Sequence, residues 1–285
     1  MKLVPKFLRK KTVMDKLSEG TVTYKRLPET LYLETDSFIN APKISLIYGI
    51  YIYIYIDELT PLYNLLSAYN SYDDSIKNQI ELILVDDCSP NPLIIPENTY
   101  NLNITLLRVL EDKAWNSCGA RNLGACYSGC RKLIFSDLDF IIEEKTLESL
   151  IYGKINPNEM IIFNRQVLTE NGYENAKHAL CPPNIYAILK STYLNFNGYD
   201  EDIVGTYGDD IYFRKYITKH GMKFKRFGHI RETTPNANSE VQEHKLSRDL
   251  TGVLEYLKTK QGHTKTMLNF PWEFVASNKF LPSEK

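Results

Sequence analysis

The sequence contains no long apolar run. A membrane-spanning helix needs roughly 18 consecutive apolar residues, and no stretch of this chain reaches that length. Residues 1–20 also lack the apolar core that is typical of a secretory signal peptide. We therefore expect a soluble, cytoplasmic protein.

Cysteine is scarce, and charges of the two signs are balanced. The five cysteines are an odd number without paired metal-ligand spacing, so we expect reduced thiols rather than a disulfide framework or a zinc site. The formal net charge of −1 provides no overall basic field, which predicts no nucleic-acid partner. With 43% hydrophobic residues in 285 positions, the chain can bury a full core.

Short apolar segments alternate with helical patterns in the first half of the chain. Alternation of this kind predicts βαβ units, and hence an α/β fold with a mostly parallel central sheet and flanking helices. Ligands of such sheets bind at the carboxyl ends of the strands. The predicted strands are residues 44–50, 80–85, 103–109 and 133–135, and the predicted helices follow Asp57 and span Asn116 to Gly129.

Two of the predicted strands end in a pair of aspartates. Asp86 and Asp87 follow the second strand, and Asp137 and Asp139 follow the fourth. The Asp137 and Asp139 carboxylates repel each other unless a cation or a hydroxyl lies between them, and oxygen ligands suit Mg²⁺ or Mn²⁺. The alternatives are an Asx turn with a helix cap for the first pair and an exposed turn for the second.

Four segments, taken in order, resemble the family 2-like glycosyltransferases of the GT-A fold. The resemblance covers about Ile44 to His229, and it implies a single GT-A-like, Rossmann-related domain. It also implies transfer of a sugar from a nucleotide-sugar, with a UDP-sugar as the expected donor, to a saccharide or glycoconjugate acceptor. The segments are Val85–Ser89, Trp115–Gly124, Ser136–Asp139, and Gly198–Asp200 followed by Gly205–Phe213.

The resemblance implies a set of nucleotide-binding residues. Asp86 is expected to accept the N3 proton of uracil, with Asp87 as a helper at the base or ribose. Arg121 is expected to donate to base or phosphate oxygens, although pairing with a carboxylate such as Asp86 is the structural alternative. Asp137 is assigned to the ribose or to an indirect metal contact. Tyr51 completes the set.

The resemblance also implies a divalent metal, Mn²⁺ or Mg²⁺. Asp139 is expected to bind the metal directly, and His229 is expected to be a further ligand, with His244 as its substitute. Such a metal neutralises the charge that builds on the leaving nucleoside diphosphate. An ordinary surface histidine is the alternative for His229.

The second half of the resemblance implies an acceptor site and a base. Asp210 aligns with the carboxylate that takes the proton of the acceptor hydroxyl in inverting relatives. Asp209 and Trp115 are assigned to acceptor binding. The alternative for both aspartates is a helix amino-terminus ahead of residues 211–220, where they would complement the helix dipole.

The domain prediction divides the chain into a catalytic domain and two extensions. Residues 1–42 form a basic N-terminal extension, and residues 235–285 form a C-terminal helical extension. The basic extension favours a solvated tail or a packed amino-terminal segment and leaves a peripheral membrane contact as the alternative. The glycosyltransferase domain spans 43–234, with 43–140 as its nucleotide-binding half and 141–234 as its acceptor half.

The sequence is also compatible with two other functions. A catalytically inactive sugar-binding or scaffold relative would keep the fold without the chemistry, and the retained carboxylates argue against it. A sugar nucleotidyltransferase would need a glycine-rich phosphate loop after the first strand, where the sequence has Gly49 alone.

Overall fold

A computed structural model gives the fold of the chain. Of the residues it describes, none belongs to a helix that is both long and apolar enough to cross a membrane. Tyr51, Trp115 and His244 lie outside the described residues, as do most of residues 1–42 and all of 235–262. The described residues are 22–24, 43–50, 59–95, 100–113, 116–180, 182–205, 207–233, 263 and 266–277.

The first half of the described chain alternates strands and helices as predicted. Its elements are β1 (Val22–Tyr24), β2 (Ile44–Ile50), α1 (Leu59–Asn70), α2 (Asp74–Lys77), β3 (Ile80–Asp86), β4 (Ile104–Val109), α3 (Ser117–Tyr127), β5 (Lys132–Ser136) and β6 (Phe140–Ile142). Strand β2 pairs in parallel with β3 and β5, and β3 pairs in parallel with β4. Every residue of β3 is buried, as expected for a central strand covered on both faces.

The second half extends the same sheet. Its elements are α4 (Glu144–Tyr152), β7 (Glu159–Thr169), β8 (Gly172–Leu180), β9 (Tyr186–Leu189), α5 (Lys190–Asn195), α6 (Asp209–Lys219), β10 (Lys223–Glu232), β11 (Met267–Phe270) and β12 (Trp272–Ser277). The strand order is β12-β4-β3-β2-β5-β9-β7-β10-β6, with β8 beside β7. The predicted α/β class, with a central sheet and flanking helices, is confirmed.

The last described residues form strands and not a helix. Strand β12 pairs antiparallel with β4 at the edge of the main sheet, and β11 pairs with β1. The helical extension predicted for residues 235–285 therefore does not describe residues 267–277. The local pattern could not reveal β12, because its partner β4 lies far away in the sequence.

Two glycines let α3 lie close to its neighbours. A Cβ atom at Gly124 would lie 2.5 Å from Ile47 Cγ2 of β2, and one at Gly119 would lie 2.5 Å from the Phe270 ring of β11. Both glycines therefore serve packing. The helix begins after Asn116, whose side chain accepts a hydrogen bond from Gly119 N at 3.2 Å.

Candidate active site

Asp137 lies just after β5, and both of its carboxylate oxygens accept hydrogen bonds. Arg121 Nη2 donates to Oδ1 at 2.9 Å, and Asn184 Nδ2 donates to Oδ2. Arg121 is 6% exposed, whereas the Asp137 side chain is 33% exposed. Because each carboxylate oxygen has two lone pairs, Asp137 is held firmly at the sheet edge and can still accept a hydrogen bond from a hydroxyl.

Arg121 also connects this edge of the sheet with the start of α6. Its Nη1 lies 3.8 Å from Asp209 Oδ2. The same oxygen accepts hydrogen bonds from Ser117 Oγ at 2.7 Å and from Cys118 Sγ at 3.4 Å. Asp209 is buried and its Oδ2 atom holds α6 against α3, so this geometry lends no support to the predicted acceptor contact. Arg121 therefore pairs with carboxylates, as its structural alternative predicted, but its partners are Asp137 and Asp209 and not Asp86.

Asp210 is the second residue of α6 and is partly buried. Burial raises the pKa of its carboxyl group to about 6, and repulsion from Asp209 acts in the same direction. Gly208, just before the helix, has φ of 102°, a conformation that favours glycine. A carboxylate whose pKa lies near the working pH is suited to accept a proton from a hydroxyl.

Asp86 is committed to the loop that follows β3. It accepts hydrogen bonds from Ser89 N at 2.8 Å and from Leu93 N at 3.1 Å, and it forms an ion pair with Arg108 of β4. Arg108 Nη2 donates in turn to Ser89 O at 2.8 Å. The carboxylate is buried within this network. Asp86 therefore forms an Asx-type turn, which was the predicted alternative. Its carboxylate is not open to a nucleotide base.

Asp87 differs from Asp86 because part of its carboxylate lacks a partner. Its Oδ1 atom is buried and has no hydrogen-bond partner among the described residues. The pKa of the Asp87 carboxyl is raised to about 7, because burial and repulsion from Asp86 outweigh the hydrogen bond from Asn116 N. Since buried polar atoms are nearly always hydrogen-bonded, this oxygen is a candidate contact for a ligand.

The two predicted metal ligands lie apart. Strands β6 and β10 are antiparallel, and Asp139 O accepts a hydrogen bond from Thr233 N at 2.8 Å, whereas His229 O accepts one from Glu143 N at 3.1 Å. Thr233 lies four positions after His229, a distance of about 13 Å along a strand. The His229 ring instead lies 3.6 Å from a Glu143 oxygen. Because of this register, His229 does not lie beside Asp139.

Asp139 occupies the position that was predicted for it from the sequence. It is partly buried, two residues after Asp137 at the carboxyl edge of β5. Within the described ranges, no three His, Cys, Asp or Glu side chains form a group that could hold an ion. At nucleotide sites Mg²⁺ is usually held by one or two carboxylates together with phosphate oxygens. Asp139 therefore fits a metal that arrives with a diphosphate.

A buried carboxylate joins the back of α3 to the C-terminal strands. Glu201 lies in the 3₁₀ turn Glu201–Ile203, and its Oε1 accepts hydrogen bonds from Asn122 Nδ2 and Leu268 N, both at 2.8 Å. Its Oε2 accepts one from Asn269 N at 2.9 Å. Burial raises the pKa of the Glu201 carboxyl group, and the three donors oppose that effect. Strand β11 is thereby fixed behind the helix that carries Arg121.

Three residues with contacts in this region were not singled out from the sequence. Asn184 binds Asp137 but follows two prolines and no strand-end motif. Arg108 stands opposite Asp86 in the β3–β4 register, which only the fold reveals. Ser117 donates a hydrogen bond to Asp209. The sequence offered one indication of its role, because Ser117 directly follows Asn116, the cap of α3.

The family of the chain is shown by sequence comparison. A sequence model described as "Glycosyl transferase family 2" matches residues 60–221, more than half of the chain. The matched range contains Asp86, Arg121, Asp137 and Asp210. No curated protein matches the sequence.

Solved structures share the fold at low sequence identity. The structure of S. aureus TarS 1–349 has a TM-score of 0.52 and 15% identity, covering 75% of this chain and 68% of that chain. The structure of GalNAc-T7 with UDP, GalNAc and Mn²⁺ has a TM-score of 0.48 and 12% identity, covering 67% of this chain and 43% of that chain. This chain thus corresponds to less than half of GalNAc-T7. The similarity to TarS is one of fold alone, and the family match shows that the chain belongs to glycosyl transferase family 2.

Proposed function

We propose that the chain is a metal-dependent, inverting glycosyltransferase that moves a sugar from a UDP-sugar to a saccharide or glycoconjugate acceptor. The observation that supports this most directly is the link through Arg121. This residue contacts Asp137 at the nucleotide edge and Asp209 at the start of α6. The neighbouring base, Asp210, is therefore held beside the edge at which the donor binds.

In the proposed reaction, Asp210 takes the proton of the acceptor hydroxyl while that oxygen attacks the anomeric carbon. The bond from this carbon to the phosphate oxygen breaks, and UDP leaves with the bonding electrons. Attack opposite the leaving group inverts the anomeric configuration. A pKa of about 6 leaves Asp210 ionised at neutral pH and makes it a stronger base than an ordinary aspartate.

The nucleotide is assigned to the carboxyl ends of β3 and β5. Asp87 is proposed to accept the uracil N3 proton through the buried oxygen that has no partner among the described residues. This assignment replaces Asp86, whose carboxylate already binds Arg108 and the loop. Asp137 is proposed to accept a hydrogen bond from a ribose hydroxyl.

The proposed metal ion is Mn²⁺ or Mg²⁺, and Asp139 would hold it. When bound, it would supply positive charge that stabilises the departing diphosphate. Arg121 acts differently, because its guanidinium already pairs with Asp137 and contacts Asp209 and so orients both carboxylates.

A screen of nucleotide-sugars tests the proposal. Purified protein is incubated with UDP-, GDP- and CDP-sugars, an array of saccharide acceptors, and Mn²⁺, Mg²⁺ or EDTA, and nucleotide release and product anomers are recorded by NMR. We expect turnover with a UDP-sugar, dependence on the metal, and an inverted product. Asp210→Asn should reduce transfer by about 10²–10⁴-fold while UDP still binds.

Asp202→Asn is the matched control, because Asp202 is an exposed aspartate in the preceding turn. It should transfer sugar at the wild-type rate. Binding of UDP without transfer to any acceptor would contradict the proposal and favour an inactive relative. Formation of a nucleotide-sugar from a nucleoside triphosphate and a sugar phosphate would favour a nucleotidyltransferase.

A further inference from the structure

Besides the basic N-terminal extension, a second segment of this chain, whose net charge is −1, is rich in basic residues. Residues 211–231 include seven lysines and arginines and no acidic residue. No carboxylate within the described ranges pairs with any of the five exposed members of this group. These five are Lys215, Lys219, Lys223, Lys225 and Arg226.

Two exposed aromatic rings lie among these cations. Phe224 is 40% exposed and Phe227 is 38% exposed. Phe224 lies in the regularly paired part of β10, and Phe227 lies where the register of β10 with β7 shifts, between Arg226 and His229. The Arg214 guanidinium lies over the Phe224 ring, 5.5 Å from its centre. We call Lys215, Lys219 and residues 223–227 the basic edge.

The start of β10 is open along one side. Strand β7 pairs with β10 from Lys223 onward, whereas β6 pairs only with Ile230–Glu232. Residues 223–227 therefore have a neighbouring strand on one side only within the described part of the sheet. Side chains from both faces of such a strand can reach the same flat surface.

We propose that the basic edge docks on a membrane surface that contains anionic phospholipid. Each lysine or arginine near such a surface is attracted to the headgroups, and exposed phenyl rings insert at the headgroup boundary. A polyanion in solution would satisfy the cations but would leave both rings in water, so a lipid surface matches the whole chemistry of the edge. This contact is separate from the basic residues 1–42, most of which lie outside the described residues.

The position of the basic edge is compatible with catalysis. Lys219 ends α6 and Asp209 begins it. A helix of this length spans about 16 Å. Docking through Lys219 and the start of β10 therefore leaves Asp210 and the nucleotide edge at the far end of the helix, away from the lipid.

Co-sedimentation of the full chain with vesicles tests the proposal. The vesicles are phosphatidylcholine with or without phosphatidylglycerol, at low and high salt. We expect binding to the anionic vesicles only, and release by salt. The double variant Lys223→Gln/Lys225→Gln should lower the partition coefficient about 30-fold. The variant Phe224→Ser/Phe227→Ser should lower it on the order of 10-fold.

Lys145→Gln/Lys154→Gln is the matched control, since it removes the same charge from two exposed lysines elsewhere. It should bind like the wild type, and circular dichroism checks that all variants are folded. The proposal would be overturned if the two lysine variants lost vesicle binding equally, or if the wild type did not bind anionic vesicles. Binding to inorganic polyphosphate alone, unaffected by loss of the phenylalanines, would overturn it in favour of a soluble polyanion.

Discussion

Arg121 Nη2 donates to Asp137 Oδ1 at 2.9 Å, so helix α3 and the carboxyl end of β5 are joined by a charged hydrogen bond. The other terminal nitrogen of the same guanidinium approaches Asp209. One buried cation thus sets the distance between the two halves of the proposed active site. Its planar fork presents several donors in a fixed geometry that reaches both carboxylates, whereas the ammonium group of a lysine is a compact point charge.

Replacing Arg121 should therefore affect both stability and donor binding. Arg121→Ala leaves the buried Asp209 carboxylate without its cation, and we expect the free energy of unfolding to fall by about 3 kcal/mol. Arg121→Lys should restore part of the stability but not the affinity for UDP. Urea unfolding and calorimetry provide the two measurements. Arg226→Ala, at an exposed arginine without a carboxylate partner among the described residues, should change stability by less than about 0.5 kcal/mol.

The pH dependence of transfer should report the titration of Asp210. Only the ionised carboxylate accepts a proton, and its pKa is raised to about 6. We expect kcat/KM to fall about tenfold per pH unit below pH 6 and to level off above pH 7. The Asp210→Asn variant should have low activity without this acidic limb. A wild-type kcat/KM that stays constant from pH 5 to pH 8 would show that Asp210 is not the base.

Uracil recognition by Asp87 should also depend on pH. The N3 position of uracil is a donor and that of cytosine is an acceptor, so an ionised Asp87 favours UDP over CDP by about 1–3 kcal/mol. Because the pKa of Asp87 is raised to about 7, this preference should weaken as pH falls below 7. Asp87→Asn should abolish the pH dependence. Calorimetric titrations with both nucleotides at pH 6 and pH 8 measure it.

The corresponding variant at Asp86 separates base recognition from loop stability. Asp86→Asn removes the charge that pairs with Arg108, and we expect a lower free energy of unfolding. The ratio of UDP to CDP affinity should stay near that of the wild type. If Asp86→Asn has wild-type stability but binds UDP and CDP equally well, then Asp86 and not Asp87 contacts the base.

Metal dependence should distinguish Asp139 from His229. We expect Mn²⁺ to tighten UDP binding in the wild type and in His229→Asn, because His229 lies beside Glu143 and not beside Asp139. In Asp139→Asn the metal should give no gain. Calorimetry of UDP with Mn²⁺ and with EDTA tests all three proteins. Loss of the metal effect in His229→Asn would show that the histidine reaches the metal when nucleotide is bound.

The parts of the fold that local patterns determine were predictable from the sequence. The predicted strand over residues 44–50 matches β2, and the predicted second strand ends one residue before β3 does. The predicted position of Asp137 at a strand end is also correct. Apolar runs and turn residues specify these features directly, because neighbouring side chains alone decide them.

Contacts between distant segments could not be predicted in the same way. The Asp86–Arg108 ion pair depends on the register of β3 and β4, and the separation of His229 from Asp139 depends on the register of β6 and β10. A shift of one residue in either pairing would change every such neighbour. The order of carboxylates along the chain predicted that they follow β3 and β5, but not which of them keeps an open oxygen.

The contacts of Glu201 also set an order of events during synthesis of the chain. Asn122 and Glu201 leave the ribosome before Leu268 and Asn269, whose N–H groups satisfy the buried carboxylate. At about 5–20 residues per second, several seconds pass between the two stages. Throughout that interval α3 lacks its contacts with β11, and the buried Glu201 carboxylate lacks two of its donors until residues 268 and 269 have been added.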